Sequence, residues 1–322
     1  MGELLSPQHE VEMQSLVRLL VAGKNNPQLA GVHRFPGSQP VSLTRENMAL
    51  LREKRYYVSW KADGTRYMLL LTHEGCYLVN REFEVRRVQM RFPLASKDAK
   101  GKPTFVNLPH HNTLLDGEMV VDQDPASGDK CYRFYAYDLV ALNNESVGKY
   151  PFKQRYAWIE EKVVVPRNVE RHVAATQPGF KYKGYQYSSE LFRTRQKSFY
   201  PLHCSERILN ELVDKICHEC DGLIFQGWED PYMPLTYEEL MKWKYAHMNS
   251  VDFYLHINRE GQGEQQLVLM VGQPDLKPVN EGVYFPSHFN PYDYENSIVE
   301  CSWNPGLNKW VFMRPRKDKE AP

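Results

Sequence analysis

A rhythm of short β-rich segments, starting at Tyr56 and running to the end of the chain, constrains the fold more than any other feature. Tyr56–Trp60, Tyr67–Leu71 and Cys76–Val79 are rich in aromatic and branched residues, and His73-Glu74-Gly75 turns the chain between the last two. Thr113–Val121 and Tyr132–Val140 follow, with the turn at Pro125–Asp129, then Gly222–Phe225 and Leu240–Tyr245. Runs of this composition bounded by Gly, Pro and Asp predict strands. Helical spacing is confined to a few places. These are Val11–Ala22, with Val17 and Leu20 on one face, and Arg45–Arg55 behind a Thr44 cap. Phe152–Val165, a helix running into a strand, and Ser205–His218 complete the set. Residues 166–190 read as irregular. The expected class is α+β.

Past Tyr245 the rhythm continues as Ser250–Asn258, Gln265–Val271, Gly282–Phe285, Ser297–Ser302 and Trp310–Arg314. Strands this short and evenly spaced suit a small β-barrel. The 322 residues leave room for two domains. The break is expected near His247, giving a domain over 1–246 and the barrel over 247–322.

Forty Lys+Arg balance forty Asp+Glu, which excludes a chain that coats nucleic acid by bulk charge but leaves a local basic cleft open. No apolar run approaches the ~20 residues of a membrane span, since Leu16–Ala22 is short and broken by Arg18. No signal peptide of the usual kind is expected from residues 1–30. Met1-Gly2-Glu3-Leu4-Leu5-Ser6 formally fits an N-myristoylation pattern, yet no basic cluster follows it and one acyl chain anchors weakly. Six scattered cysteines read as reduced thiols of an intracellular protein. Cys217 and Cys220 form a lone CxxC without the second pair that a zinc site needs.

The chemistry starts at Trp60-Lys61-Ala62-Asp63-Gly64-Thr65-Arg66, which joins two strands. A lysine at a strand end projects into a cleft, and the Asp63-Gly64 turn brings Arg66 back beside it. A neighbouring cation and partial desolvation both lower a lysine pKa, and only the neutral amine attacks phosphorus. Alone, the same residues make a hairpin turn with solvated charges. They have companions, in order: Leu115-Asp116-Gly117-Glu118, Tyr135-Ala136-Tyr137-Asp138, Asp221-Gly222-Leu223-Ile224-Phe225, Leu240-Met241-Lys242-Trp243-Lys244 and Trp310-Val311-Phe312-Met313-Arg314-Pro315-Arg316-Lys317-Asp318-Lys319.

Glu118 follows what reads as a tight Asp116-Gly117 turn. It and Asp221 offer hard oxygens that suit ribose or a divalent ion, or cap a turn. Asp138 sits in an apolar strand where an arginine or the backbone could bury it, and Asp63 shapes its loop. Lys242 and Lys244 alternate on a strand and point the same way, which favours an anion between them. A terminal run such as Arg314–Lys319 is ordinarily solvated.

Taken together, and over about Pro36 to Lys319, these segments resemble the covalent nucleotidyltransferases, which comprise mRNA guanylyltransferases and polynucleotide ligases. The Arg-x-Arg-x-Asp-Lys ending and the long run Ser59–Met68 favour the guanylyltransferases. The resemblance implies a ligase-like nucleotidyltransferase domain of antiparallel sheets and flanking helices, followed by an OB-fold barrel. It implies Lys61 as the nucleophile that takes GMP from GTP, Arg66 and Arg81 near the ribose, and Glu118 at ribose or metal. Asp221 would hold the metal, magnesium or manganese. Tyr137 and Ile224 would cover the two faces of the purine, and Lys242 and Lys244 would bind phosphate. Arg314, Arg316, Asp318 and Lys319 would grip the β- and γ-phosphates.

The acceptor implied is the 5′-diphosphate end of RNA, in the nucleus and without a membrane. The resemblance suggests an RNA triphosphatase and the C-terminal tail of RNA polymerase II as further partners, though the sequence does not reveal whether either binds. The stretch before Pro36 is too short for a triphosphatase domain, so this sequence is not expected to perform the first step of capping. The competing readings are an ATP-dependent RNA or DNA ligase and a non-catalytic RNA-binding protein that keeps the fold.

Overall fold

The computed structural model describes residues 1–23, 34–123, 126–176, 185–245, 248–259, 266–272, 275–317, 319 and 321–322. It divides into two compact units, Met1–Trp243 and Lys244–Pro322. His247, where the break was expected, lies outside the described residues.

Two large sheets and the two-stranded pair Pro93–Lys97 with Pro103–Pro109 build the first unit. The strands that matter for the site are β1 (Tyr56–Ala62), β2 (Thr65–Leu71), β3 (Thr113–Gln123), β4 (Lys130–Leu142), β5 (Cys220–Gly227) and β6 (Leu235–Lys244). The larger sheet runs Glu3–Leu4, Val85–Val88, Cys76–Val79, β2, β3, β4, Glu145–Ser146, with Arg193–Gln196 paired in parallel on β4. The smaller runs Tyr200–Pro201, β1, β5, β6, Ser38–Ser42. Met68 and Leu70 of β2 pack under the N-terminal helix Pro7–Ala22 with Val17 and Leu20, while Leu69 and Leu71 face Ile159 and Val163. Burial on both faces is why this strand reads as an unbroken apolar run rather than an alternating one.

Several local expectations change. Val163-Val164-Val165 is not a strand: Phe152–Trp158, a wider π-type turn over Ile159–Val164 and Val165–Thr176 make one continuous helical stretch. Branched residues are poor helix formers, but burial of Val163 and Val164 against the sheet overrides that preference. The helix expected to reach His218 ends at Lys215, in short turns of mixed type. Asp116-Gly117 lies inside β3 rather than in a turn. Gly117 is there because a Cβ would come within 2.3 Å of the Phe134 ring.

The second unit packs Phe253, Leu255, Leu269, Val299 and Phe312 in its core. Its strands run Lys277–Pro278, Gln266–Val271, Ser250–Asn258, Ile298–Asn304, Lys309–Pro315, Val283–Tyr284. Among the described residues this path is open, so the expected barrel holds only loosely. Its end strands have two residues each, too few to carry pairing along both edges.

Candidate active site

Two irregularities in strand pairing aim the side chains of the site. On β4, Ala136 pairs with Gly117 and Asp138 with Asp116, which leaves Tyr137 as an extra residue. On β5, Cys220 pairs with Ala62 and Gly222 with Lys61, which leaves Asp221 extra. A β-bulge bends its strand and re-aims a side chain. Gly222 makes the second one possible, since its φ of 150° suits glycine.

The bulged Asp221 meets Lys61 head-on. Lys61 Nζ lies 2.7 Å from each carboxylate oxygen, with the aspartate almost buried and the lysine partly open. Trp60, beside Lys61, donates from Nε1 to His218 Nε2 at 3.1 Å, and His218 Nδ1 sits 2.9 Å from Asp122. The histidine inside the CxxC therefore braces the strand that carries Lys61, and burial keeps its pKa below the ordinary value despite Asp122.

Lys61, Arg66, Arg81, Glu118, Tyr137 and Ile224 all line one cavity, so the fold brings together residues read from four separate segments and Arg81. Arg66 is buried and grips Asp116 in a fork, Nε to Oδ1 at 3.0 Å and Nη2 to Oδ2 at 2.6 Å. Burial alone would lower its pKa, but Asp116 outweighs that and the net shift is upward. Tyr137 donates its hydroxyl to Asp116 Oδ1 at 2.8 Å. Asp138, across from Asp116, is buried against Arg155 (2.8 and 2.9 Å), which is one of the structural fates open to it from sequence. Lys242 and Lys244 lie on β6 beyond Leu240; Leu240 lines the cavity and they do not.

Lys197 escaped the sequence reading. It lines the same cavity, is 4% exposed, and its Nζ sits 5.2 Å from the centre of the Trp60 ring. Burial pushes its pKa down to about 8, with Glu118 pulling the other way. In sequence it is one more basic residue among Arg193, Arg195 and Lys197. No local feature of the sequence sets it apart from them.

Glu118 has no hydrogen-bond or ion-pair partner among the described residues. Burial raises its pKa against the pull of Lys197, Lys61, Arg66 and Arg81. No group of three or more potential metal ligands exists among the described residues. Two carboxylates, Glu118 without a partner and Asp221 on Lys61, fit a hard divalent ion that takes its other ligands from phosphate and water. They do not make a self-sufficient protein cage.

The C-terminal cations belong to the second unit. Arg314 Nε meets Glu300 at 2.6 Å, Arg316 meets Asp252 at 2.9 Å, and Lys319 meets the other oxygen of Asp252 at 2.7 Å. Asp318 lies outside the described residues. Among the described residues no helix is long and apolar enough to cross a membrane.

Comparison with known proteins agrees with this layout. The family model for the mRNA capping enzyme catalytic domain matches residues 2–246, and that for the mRNA capping enzyme C-terminal domain matches residues 248–322. An mRNA-capping enzyme of Mus musculus is 35% identical over 311 residues, covering 89% of this chain and 45% of that protein. One of Danio rerio is 33% identical over 302 residues, with the same 89% and 45%. The chain thus spans about half the length of the curated relatives it matches. Among solved structures, a mycobacterial DNA ligase D complexed with ATP and MES is 15% identical, covering 88% of this chain and 95% of that one at a TM-score of 0.40. With both units matched from residue 2 to residue 322, the chain belongs to the mRNA capping enzyme family.

Proposed function

We propose that this chain is an mRNA guanylyltransferase that transfers GMP from GTP, through a covalent bond to Lys61, to the 5′-diphosphate end of RNA. The observation that carries the reading is Lys61 Nζ, held 2.7 Å from Asp221 beside a cavity that Tyr137, Ile224 and Arg66 also line. The relatives named mRNA-capping enzyme support guanine over adenine as the base.

In the first half-step the neutral Lys61 amine attacks the α-phosphorus of GTP. A P–N bond forms, the bond to the bridging oxygen breaks, and pyrophosphate leaves. Asp221, touching Nζ with both oxygens, is placed to take the proton. Tyr137 and Ile224 offer flat and branched apolar walls to the purine. Arg66 and Arg81 flank the ribose, and Lys197 adds a positive charge in a partly dry cavity, where it counts for more than in water. Lys242 and Lys244 of β6, and also Arg314, Arg316, Asp318 and Lys319, serve the phosphates.

Nucleotidyltransferases of this kind use a divalent ion. Magnesium or manganese, held by Glu118 and Asp221, would neutralise charge on the phosphates. In the second half-step a terminal phosphate oxygen of the RNA attacks the same phosphorus, the P–N bond breaks and the lysine is freed. A nuclear location, with an RNA triphosphatase and the polymerase II tail as partners, belongs to the same proposal.

Incubation with α-labelled GTP or α-labelled ATP and either ion, followed by a denaturing gel, tests the reading. Label from GTP and not from ATP is the expected result. Label from ATP alone would make the chain a ligase, and no label from either would make it a non-catalytic relative. Glu118→Gln and Asp221→Asn should each weaken the ion-dependent labelling without unfolding the chain, and unchanged ion dependence in both would remove the metal assignment.

A further inference from the structure

Arg66 and Tyr137 come from different motifs, yet a single carboxylate holds both. Asp116 is fully buried and accepts four hydrogen bonds: two from Arg66, one from Tyr137, and one from Tyr232, whose hydroxyl lies 2.6 Å from Oδ2. Tyr232 belongs to none of the motif segments. It sits in the connection between β5 and β6, lines the cavity, and is 7% exposed. Its hydroxyl also accepts from the backbone N–H of Ser38 at 3.0 Å. The connection that carries it is pinned at both ends, Trp228 N–H to the Arg55 carbonyl at 2.8 Å and Tyr232 N–H to the Gly148 carbonyl at 2.7 Å. A hydroxyl with one proton to give and two fixed partners has one orientation here. The guanidinium it faces is held further by the Phe35 ring, 5.1 Å from its carbon, and the Tyr137 ring at 5.9 Å.

We propose that Tyr232 is a positioning residue for the nucleoside: through Asp116 it fixes the angle between the Arg66 fork and the Tyr137 ring. This rests on the reading that the cavity binds a nucleotide with Arg66 toward the sugar hydroxyls. The buried network is high-stakes because each member is satisfied only while the others stay in place. Removal of the Tyr232 hydroxyl leaves Oδ2 to Arg66 alone and frees the guanidinium to rotate with it. Binding of the sugar hydroxyls then weakens, while the base walls and the phosphate-binding groups keep their places.

The test is Tyr232→Phe in the full chain, assayed for covalent GMP formation with GTP and with 2′,3′-dideoxy-GTP. The expected result is a rise in KM for GTP of about tenfold, the size of one charge-assisted hydrogen bond, with little change in kcat. The dideoxy nucleotide, which has no sugar hydroxyls to lose, should change less than about twofold. Tyr137→Phe, which removes the other phenolic bond to Asp116 but keeps the ring, should give the same sugar-dependent pattern, and it covers the case in which Tyr232→Phe melts at the assay temperature. An equal rise for both nucleotides, or none for either, would overturn the proposal while leaving the activity itself intact. Absence of GMP labelling in the unaltered chain would defeat the activity reading and this inference with it.

Discussion

The chain carries two clusters of cations, and they are built on opposite plans. Beside Lys61 two cations are buried: Arg66 is 5% exposed and Lys197 4%. Arg66 is forked onto an aspartate at 0% that three side chains share. In the second unit the Arg314 side chain is 65% exposed and that of Lys319 41%, each reaching from solvent onto one little-exposed carboxylate, Glu300 and Asp252. A buried guanidinium cannot change partner without stranding a charge, and breaking such a pair costs several kcal/mol. An exposed pair is worth about 0–1 kcal/mol. The first cluster is thus fixed architecture. The second leaves the Arg314 and Lys319 cations open to solvent, as their proposed contact with phosphate would require.

The largest effect that would break this contrast is on stability. Asp116→Ala leaves Arg66 buried without its carboxylate and should cost about 3–5 kcal/mol, whereas Lys319→Gln, which removes an exposed cation and leaves Asp252 paired with Arg316, should cost less than about 1 kcal/mol. Urea unfolding of the two variants measures both, and similar losses would show that the clusters are not different in kind.

Next in size is the separation of half-steps. If Arg314 and Lys319 hold the β- and γ-phosphates, they matter only until pyrophosphate leaves. Arg314→Ala or Lys319→Ala should therefore lower GMP attachment about tenfold to hundredfold, the cost of one charge-assisted hydrogen bond. Transfer from preformed enzyme–GMP to diphosphate RNA should hardly change. Equal losses in both steps would reassign the segment to folding or RNA binding.

The smallest effect is a pH dependence confined to the first cluster. Lys197 titrates at about 8 because burial disfavours its charge, while arginine stays protonated throughout this range. Raising pH from 7 to 9 should weaken GTP binding a few-fold, as the cavity loses a charge. Stability should move the other way. The unfolded lysine keeps its proton to about 10.4, so between about 8 and that value the unfolded state binds more protons and stability rises with pH. Lys197→Met should flatten both curves. Persistence of both slopes in that variant would place the titration elsewhere.

What could be read from sequence tracks how local each cause is. Lys61, Glu118 and Ile224 sit on strand segments whose composition announces them, and the cavity gathers them. The helix through Val163–Val165 was hidden because three consecutive β-branched residues favour a strand locally, and only packing against the sheet decides otherwise. Asp116 looked like a turn residue because Asp-Gly usually is one. Its role depends on register with Asp138 and on a guanidinium from the next strand. The bulges at Tyr137 and Asp221 are likewise facts of pairing between strands distant in sequence. Lys197 and Tyr232 carry no local mark that separates them from ordinary surface or core residues, since burial alone makes them part of the site.

The central claim is that Lys61 carries the nucleotide, and the most direct measurement is to locate the adduct. After incubation with GTP and magnesium or manganese, proteolysis and mass spectrometry under conditions that spare P–N bonds should find one GMP on the peptide containing Lys61. Lys61→Arg, whose guanidinium stays protonated and cannot attack, should yield none while unfolding at the same urea concentration. GMP on any other residue, or full labelling of Lys61→Arg, would contradict the account.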